Sequence, residues 1–363
     1  MQPNKTLVFS DAKSELSLEI ESMSENLQLE ILPEVQQTGY DSNLFLIQTA
    51  NDCINQVKGI TRNKRLFDEF FIENEVCILF ADTGVGKSIL ATQIGQSISS
   101  GVPIDNFQLE VGSQKVFYLD FELSAKQFEK RYAVEKDGSD LLTNHYTFSD
   151  NFFRLSVNPD SDMPTDVSFD KYVLSELEKA IVVQKPNVII VDNITYLKDE
   201  QEKSSKALEL MKQLKHLKTK HNLSVLVLAH TPKVDNTRPI HLNSLSGSKA
   251  LSNFADSIFT IGASTIDSSL RYLKQIKVRD SAHKFTEDNV AVCCLQKEHN
   301  YLQFVFSKCD FETNHLKVID KAIRLERKDR ALELNRQGLS NVAIGSKLGV
   351  TEGAVRKWLK QAS

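Results

Sequence analysis

Two glycines, a lysine and a serine in Ala81-Asp-Thr-Gly-Val-Gly-Lys-Ser88 have the types and spacing needed to hold a polyphosphate. From Thr83 through Gly84, Val85, Gly86, Lys87 and Ser88 to Ile89, successive backbone N–H groups can turn inward as an anion nest where a helix begins. The Lys87 ammonium would reach the β- and γ-phosphates of ATP, and the Ser88 hydroxyl would take a coordination site on Mg²⁺. Ala81 stands where the first glycine of GxxxxGK[ST] is expected. The cradle itself runs from Thr83 to Ser88, so the replacement falls at its edge.

Hydrolysis needs further groups. Asp192 ends the apolar run Pro186-Asn-Val-Ile-Ile-Val191 and suits a carboxylate that acts through Mg²⁺ and its water shell. The next residue is Asn193, so a water activator must come from elsewhere. Glu122, closing Val116-Phe-Tyr-Leu-Asp-Phe-Glu122, is the first choice and Asp120 the second. The bland alternative for Glu122 is a solvated helix N-cap acid ahead of Ser124. His230 ends Ser224-Val-Leu-Val-Leu-Ala229, where a polar side chain could sense a γ-phosphate and report its loss to the following loop. That loop, Thr231 to Asn243, carries Lys233, Arg238 and His241 and is a candidate DNA contact.

Strands and helices must bring these residues together. Val76-Cys-Ile-Leu-Phe80, Val116–Leu119, Val188–Val191 and Val225–Leu228 are short apolar runs, as buried parallel strands are. Their C-terminal ends converge on the ligand crevice of such a sheet. Between them lie helical patterns, clearest in Lys206–Leu217, with Leu208, Met211, Leu214 and Leu217 at three-residue steps and Leu210 broadening the face. Asn51 to Phe71 reads as an amphipathic lead-in helix and a turn. Further strand signals follow at Asp256–Ile261, Leu273–Lys277, Ala291–Leu295 and Tyr301–Phe306. Alternating strand and helix imply an α/β fold on a mainly parallel central sheet.

The composition is that of a water-soluble globular chain, with 41% hydrophobic and 25% charged residues among 363. Five scattered cysteines without CxxC spacing read as reduced thiols in a cytoplasmic protein, and no apolar run approaches membrane-spanning length. A net charge of −4 hides an asymmetry. Lys321 to Ser363 holds ten Lys/Arg against four Asp/Glu, which points to a polyanion at that end. Within it, Ser340 and Thr351 cap two short helices about a Leu348-Gly349-Val350 turn. Ile344, Leu348, Val350, Val355, Trp358 and Leu359 would form a core with Leu332 and Leu334. Thr351, Glu352, Arg356 and Lys357 would face a DNA groove from the second helix, as in a helix-turn-helix domain.

The phosphate loop, Glu122 in Asp-Phe-Glu-Leu-Ser, Asp192, Ala-His-Thr-Pro-Lys233 and Ser246-Gly-Ser-Lys-Ala250 together resemble the RecA-like ATPases over roughly residues 50 to 307. The branch most similar is that of plasmid RepA-type helicases (AAA_25-like), with DnaB replicative helicases more distant. The resemblance implies a water-activating Glu after the second strand, in keeping with Asn193. It also implies that Lys277 and Arg279, two apart at a strand end, enter a neighbouring subunit's site. The alternatives are ordinary surface charges there, or Arg271 in the same role.

The expected organisation is a polar segment over 1–45, a RecA-like ATPase domain over 46–308, a linker over 309–320 and a helix-turn-helix domain over 321–363. The expected function is a Mg²⁺-dependent ATP hydrolase acting on DNA, a helicase or translocase of a plasmid or mobile element assembled as a homo-oligomeric ring or filament, hexamers included. The second reading is an ATP-switched DNA-binding regulator that does not unwind.

Overall fold

The computed structural model describes residues 45–136, 141–162, 164–193, 205–231, 235–245, 248–317 and 321–360, with side chains at 205–207, 248–250 and 321–326 also outside the description. The expected polar segment therefore lies almost wholly outside the described residues, as do Lys233 and the side chains of Ser246–Ala250.

Two compact units divide the chain, Met1–Arg62 and Asn63–Ser363. The first holds the lead-in helix α1 (Ala50–Val57), which is capped by Thr49 and buries none of its residues. This division falls inside the span expected for the ATPase domain, 46–308.

The second unit is built on a nine-stranded sheet. Its strands are β3 (Val76–Ala81), β4 (Val116–Asp120), β7 (Phe152–Leu155), β8 (Val188–Asp192), β9 (Ser224–His230), β10 (Ser257–Ala263), β11 (Leu270–Lys277), β12 (Val290–Glu298) and β13 (Tyr301–Asp310). Pairs β1 (Arg65–Phe67) with β2 (Phe71–Ile72), and β5 (Val134–Glu135) with β6 (Leu142–Thr143), form separate ribbons. In space the large sheet runs β13-β12-β11-β10-β3-β9-β8-β4-β7. From β10 to β7 every pairing is parallel. From β10 to β13 every pairing is antiparallel. The mainly parallel expectation holds for six strands and fails for the last three, which are joined to one another and to β10 without an intervening helix and pair as antiparallel neighbours.

Alternation decides what each strand offers to either face. In β3, Cys77, Leu79 and Ala81 join one core, while Val76, Ile78 and Phe80 join the other. The same parity runs through β4, β8 and β9, where Tyr118, Ile190 and Leu228 share the first core. That core is covered by α2 (Lys87–Ser100) through Leu90, Ala91, Ile94 and Ile98. Continuing the period of two, Asp120, Asp192 and His230 fall on the α2 face at the ends of their strands.

The opposite face is covered by α4 (Phe169–Gln184), α5 (Ser205–His221) and α6 (Ser248–Phe254). In α5 the buried residues are Leu210, Met211, Leu214 and Leu217, each contributing about 1.5–3 kcal/mol by its removal from water. Leu208 is only half-buried, so the apolar face is centred one residue further round than the three-residue steps suggest.

The expected linker is not one up to residue 317. Cys309 and Asp310 belong to β13, and a 3₁₀ turn, Glu312–His315, follows with both Glu312 and His315 fully buried. The chain ends in three helices, α7 (Lys321–Arg336), α8 (Asn341–Leu348) and α9 (Glu352–Lys360). Their core is Ala331, Leu334, Ile344, Val355 and Trp358, with Leu348, Val350 and Leu359 packed at its margin. Ala331 takes the place expected for Leu332, and Trp358 is a packing residue.

Candidate active site

The loop from Ala81 to α2 reverses the chain at two left-handed glycines, Gly84 (φ 78°) and Gly86 (φ 108°). A Cβ at Gly86 would also come within 2.9 Å of the Phe304 ring, so this position is closed to side chains twice over. Val85 and Lys87 are buried while Thr83 and Gly84 face outward. Gly86 is the N-cap of α2 and makes no side-chain capping bond. The Gly86 carbonyl accepts the N–H groups of Ile89 (3.1 Å) and Leu90 (3.0 Å), so the N–H groups left to face an anion are those that precede Ile89.

Lys87 folds back over its own loop. Its Nζ donates to the carbonyls of Ala81 (2.9 Å) and Asp82 (3.0 Å) and stands 3.1 Å from His230 Nδ1. Burial lowers its pKa, an effect opposed by the carboxylates of Asp192, Glu122 and Asp82. All three contacts are to neutral acceptors, and among the described residues the ammonium has no direct ion pair. Polyphosphate oxygens would supply that compensation.

His230 links the two halves of the site because β9 is the direct neighbour of β3, with Ala81 and His230 in register. With Nδ1 accepting from Lys87, the tautomer that satisfies both sides carries its proton on Nε2, 3.3 Å from Glu122 Oε1. Asn193 donates its amide to the same Glu122 oxygen and lies 3.0 Å from Nε2. The hydrogen bond from His230 is the main cause holding the Glu122 carboxyl below its ordinary pKa. Burial opposes it, and the charges of Lys87 and Arg131 assist. Glu122 is thus an ionised, partly exposed acceptor beside the phosphate cradle, suited to hold and polarise a water.

Glu122 is not a helix cap. Ser124 caps α3 (Ala125–Arg131) through a reciprocal capping box with Gln127. Asp120, the second choice for activating water, is spent on structure. Its buried carboxylate pairs with Arg154 at 2.9 Å and accepts the backbone N–H groups of Glu122 (3.1 Å) and Leu123 (2.9 Å). It holds the turn that carries Glu122.

Asp192 lies at the floor of the site, 1% exposed, and accepts a 2.5 Å hydrogen bond from the Tyr118 hydroxyl. Burial pushes its pKa up to about 6, against hydrogen bonds from Ser88 and Tyr118 that pull it down. Ser88 and Asp192 are therefore together, as a shared Mg²⁺ would require. Among the described residues no three His, Cys, Asp or Glu side chains converge as a metal site. The donor set fits an ion held jointly with phosphate oxygens and water, which is how Mg²⁺ is usually bound.

Lys277 and Arg279 do not join this cluster. β11 runs antiparallel to β10, and Lys277 pairs with Ile258, level with Ile78 in β3. They sit toward the end of the sheet where β3 begins, away from the phosphate loop. Lys277 Nζ caps the carbonyls of Ser252 and Ala255 at 2.7 Å each, and Arg279 pairs with Asp256 at 2.9 Å. Neither serves the site of its own chain.

Arg271, the alternative named for the neighbouring-subunit role, lies at the other end of β11 and contacts the phosphate loop of its own chain. Its Nε donates to the Val85 carbonyl (3.0 Å), and its Nη1 to the carbonyls of Ser268 (2.7 Å) and Leu270 (2.8 Å). Holding the Val85 carbonyl outward leaves the neighbouring N–H groups of the loop free to face an anion. Sequence reasoning missed Arg154, Tyr118 and Asn193. No local pattern marks them, since each acts across strands distant in sequence.

In the C-terminal helices, Ser340 and Thr351 make the expected capping bonds, each at 3.3 Å, and Gly349 has φ 64°. Thr351, Glu352, Arg356 and Lys357 are all exposed.

No helix among the described residues is long and apolar enough to cross a membrane. Residues 48–236 match the AAA_25 family model, described as an AAA domain, and that span contains the phosphate loop, Glu122, Asp192 and His230. A KaiC-like protein from the hyperthermophilic archaeon Pyrococcus horikoshii OT3 is similar at a TM-score of 0.42 and 16% identity, over 64% of this chain and 90% of that one. No curated protein matches. With the family model covering more than half of its length, the chain belongs to the AAA_25 family of P-loop ATPase domains.

Proposed function

We propose that the protein is a Mg²⁺-dependent ATP hydrolase acting on DNA as a helicase or translocase of the RepA/DnaB type, in a homo-oligomer. The observation that carries the ATPase part is the contact chain Lys87–His230–Glu122–Asn193, laid across the ends of β3, β9, β8 and β4. Lys87 and the loop N–H groups bind the β- and γ-phosphates. Ser88 and Asp192 hold Mg²⁺, which supplies positive charge to the phosphate oxygens. Glu122 orients a water toward the γ-phosphate and accepts its proton. When Lys87 turns to the phosphates, His230 loses its Nδ1 donor, so its contacts differ between the loaded and empty site.

The DNA part rests on the C-terminal helices, whose +6 formal charge and outward Arg356 and Lys357 suit a phosphate backbone and groove. A helix-turn-helix of this kind also supports the second reading, an ATP-switched regulator that binds DNA without unwinding it. Lys233 belongs to the proposed DNA contact and lies outside the described residues. Lys277 and Arg279 act only if a second subunit brings them to this site. An Arg279→Ala protein would then bind ATP without turning it over, and mixing it with Lys87→Ala subunits would restore part of the activity.

The deciding assay is ATP turnover with single-stranded DNA, duplex DNA or none, paired with strand displacement. DNA-stimulated turnover with displacement supports the helicase, and stimulation without displacement supports the regulator. Turnover indifferent to DNA sinks both.

A further inference from the structure

The segment between β13 and the C-terminal helices is tied to the loop that follows His230. Glu312, with no exposed surface, accepts the Ile240 N–H at 2.8 Å through Oε1 and pairs with Lys274 at 2.5 Å through Oε2. Lys274 in turn donates to the Ile240 carbonyl at 3.1 Å. Both backbone polar groups of one loop residue are thus gripped by a buried ion pair. Four residues earlier, the Asn236 carbonyl accepts the Lys317 N–H at 2.8 Å.

The same segment is fastened to the turn after β10. His315, also without exposed surface, meets the Ser264 hydroxyl at 2.8 Å through Nδ1, and its carbonyl accepts from the N–H (3.0 Å) and hydroxyl (3.1 Å) of Thr265. Leu316 closes a cavity of about 50 Å³ that is also lined by Ala81, Asp82, Val85 and Thr231 of the phosphate site. Thr231 leads from His230 into the loop, and its N–H bonds the Ala81 carbonyl at 3.2 Å.

We propose that residues 311–317 relay the state of the nucleotide site to helices α7–α9. The input is His230, whose contacts change when Lys87 turns to a phosphate. The loop carries the change to Asn236 and Ile240. Glu312 and Lys317 receive it there, and Lys317 lies four residues before α7 begins. A buried ion pair is a poor source of net stability but fixes one register strongly. Here that register is the height of the strap against the sensor loop. The relay rests on the nucleotide reading of the site and is independent of the DNA reading.

Amide hydrogen exchange over residues 321–360, without nucleotide, with ADP and with a non-hydrolysable ATP analogue, tests the relay on the full chain. In the wild type, protection there should differ about fivefold or more between the empty and ATP-analogue states. Lys274→Met with Glu312→Leu removes both charges together, so no lone buried charge remains. Nucleotide binding, followed with a fluorescent analogue, should persist while the exchange difference disappears. Lys317→Pro, which removes the donor to Asn236 while leaving the Lys274–Glu312 pair in place, should reduce the difference, and Lys317→Ala, which keeps the N–H, should not. An undiminished difference in both the double variant and Lys317→Pro overturns the relay, as does no difference in wild-type protein that binds the analogue. Wild-type protein that binds no analogue refutes the nucleotide reading and the relay with it.

Discussion

Replacing Arg154 by Met separates the two carboxylates that compete for the role of water activator. Asp120 has no exposed side-chain surface and leans on Arg154 for its only ion pair among the described residues, at 2.9 Å. Removing one partner of such a pair costs about 3–5 kcal/mol, because the remaining charge stays buried. The two N–H donors from Glu122 and Leu123 persist, so the lower end, about 3 kcal/mol, is expected in urea unfolding. The Leu123 carbonyl also loses its bond from Arg154, freeing the turn that carries Glu122. A shift of about 1 Å there should lower ATP turnover roughly 10²-fold. Adding Asp120→Asn removes the stranded charge while an amide oxygen still accepts both N–H groups. The double variant should regain stability to within about 1.5 kcal/mol of wild type and recover most of the turnover. Glu122→Gln, by contrast, should lose about 10²–10⁴-fold in turnover with ATP binding intact. If Asp120→Asn alone is as inactive as Glu122→Gln is expected to be, and Glu122→Gln turns over normally, the assignment of Glu122 is wrong.

Three further outcomes follow from other parts of the molecule. Arg271→Met deprives the Val85 carbonyl of a charged donor worth about 1.5–3 kcal/mol to the empty fold, so the melting temperature should fall by several degrees and a fluorescent ATP analogue should bind more weakly; unchanged affinity contradicts the role given to Arg271. Burial pushes Glu75 from 4.5 to about 7, against a hydrogen bond from Ser257, so the folded chain holds this proton where the unfolded chain has lost it. Its contribution is full below about pH 4.5 and is lost as pH rises to about 7, by roughly 3 kcal/mol or slightly more in all. Glu75→Gln should therefore be more stable than wild type at pH 8 and gain little at pH 5; an equal difference at both pH values contradicts the burial argument. Leu334→Ala opens a cavity beside Trp358, the chain's single tryptophan. Its cost of about 2–5 kcal/mol should appear in urea titrations followed by tryptophan fluorescence, with ATP affinity unaffected.

Local pattern was a good guide wherever one segment both forms an element and carries its chemistry. The phosphate loop, α5 and the caps at Ser340 and Thr351 are of this kind, since capping bonds and helical faces span only three or four residues. The antiparallel edge β11–β13 was legible as strands but not as direction, because alternation carries no sign for pairing. The linker expectation failed at Glu312 and His315, polar residues that the sequence would place in water. They are buried because Lys274, Tyr272 and Ser264, nearly forty residues or more earlier, supply their partners.

The letters alone determined that a phosphate cradle sits between a buried strand and a helix. They also placed Asp192 and His230 at the ends of apolar strands that converge on one crevice, but not on the face of that helix. Strand order was beyond them. Only the tertiary structure placed β9 between β3 and β8, which brings His230 to Lys87. Only it assigned Asp120 to Arg154, moved Arg271 onto the loop and carried Lys277 and Arg279 to the far end of the sheet. The physical reason is that secondary structure arises from interactions within a few residues, whereas a site arises from register and pairing between strands that the chain visits tens to hundreds of residues apart.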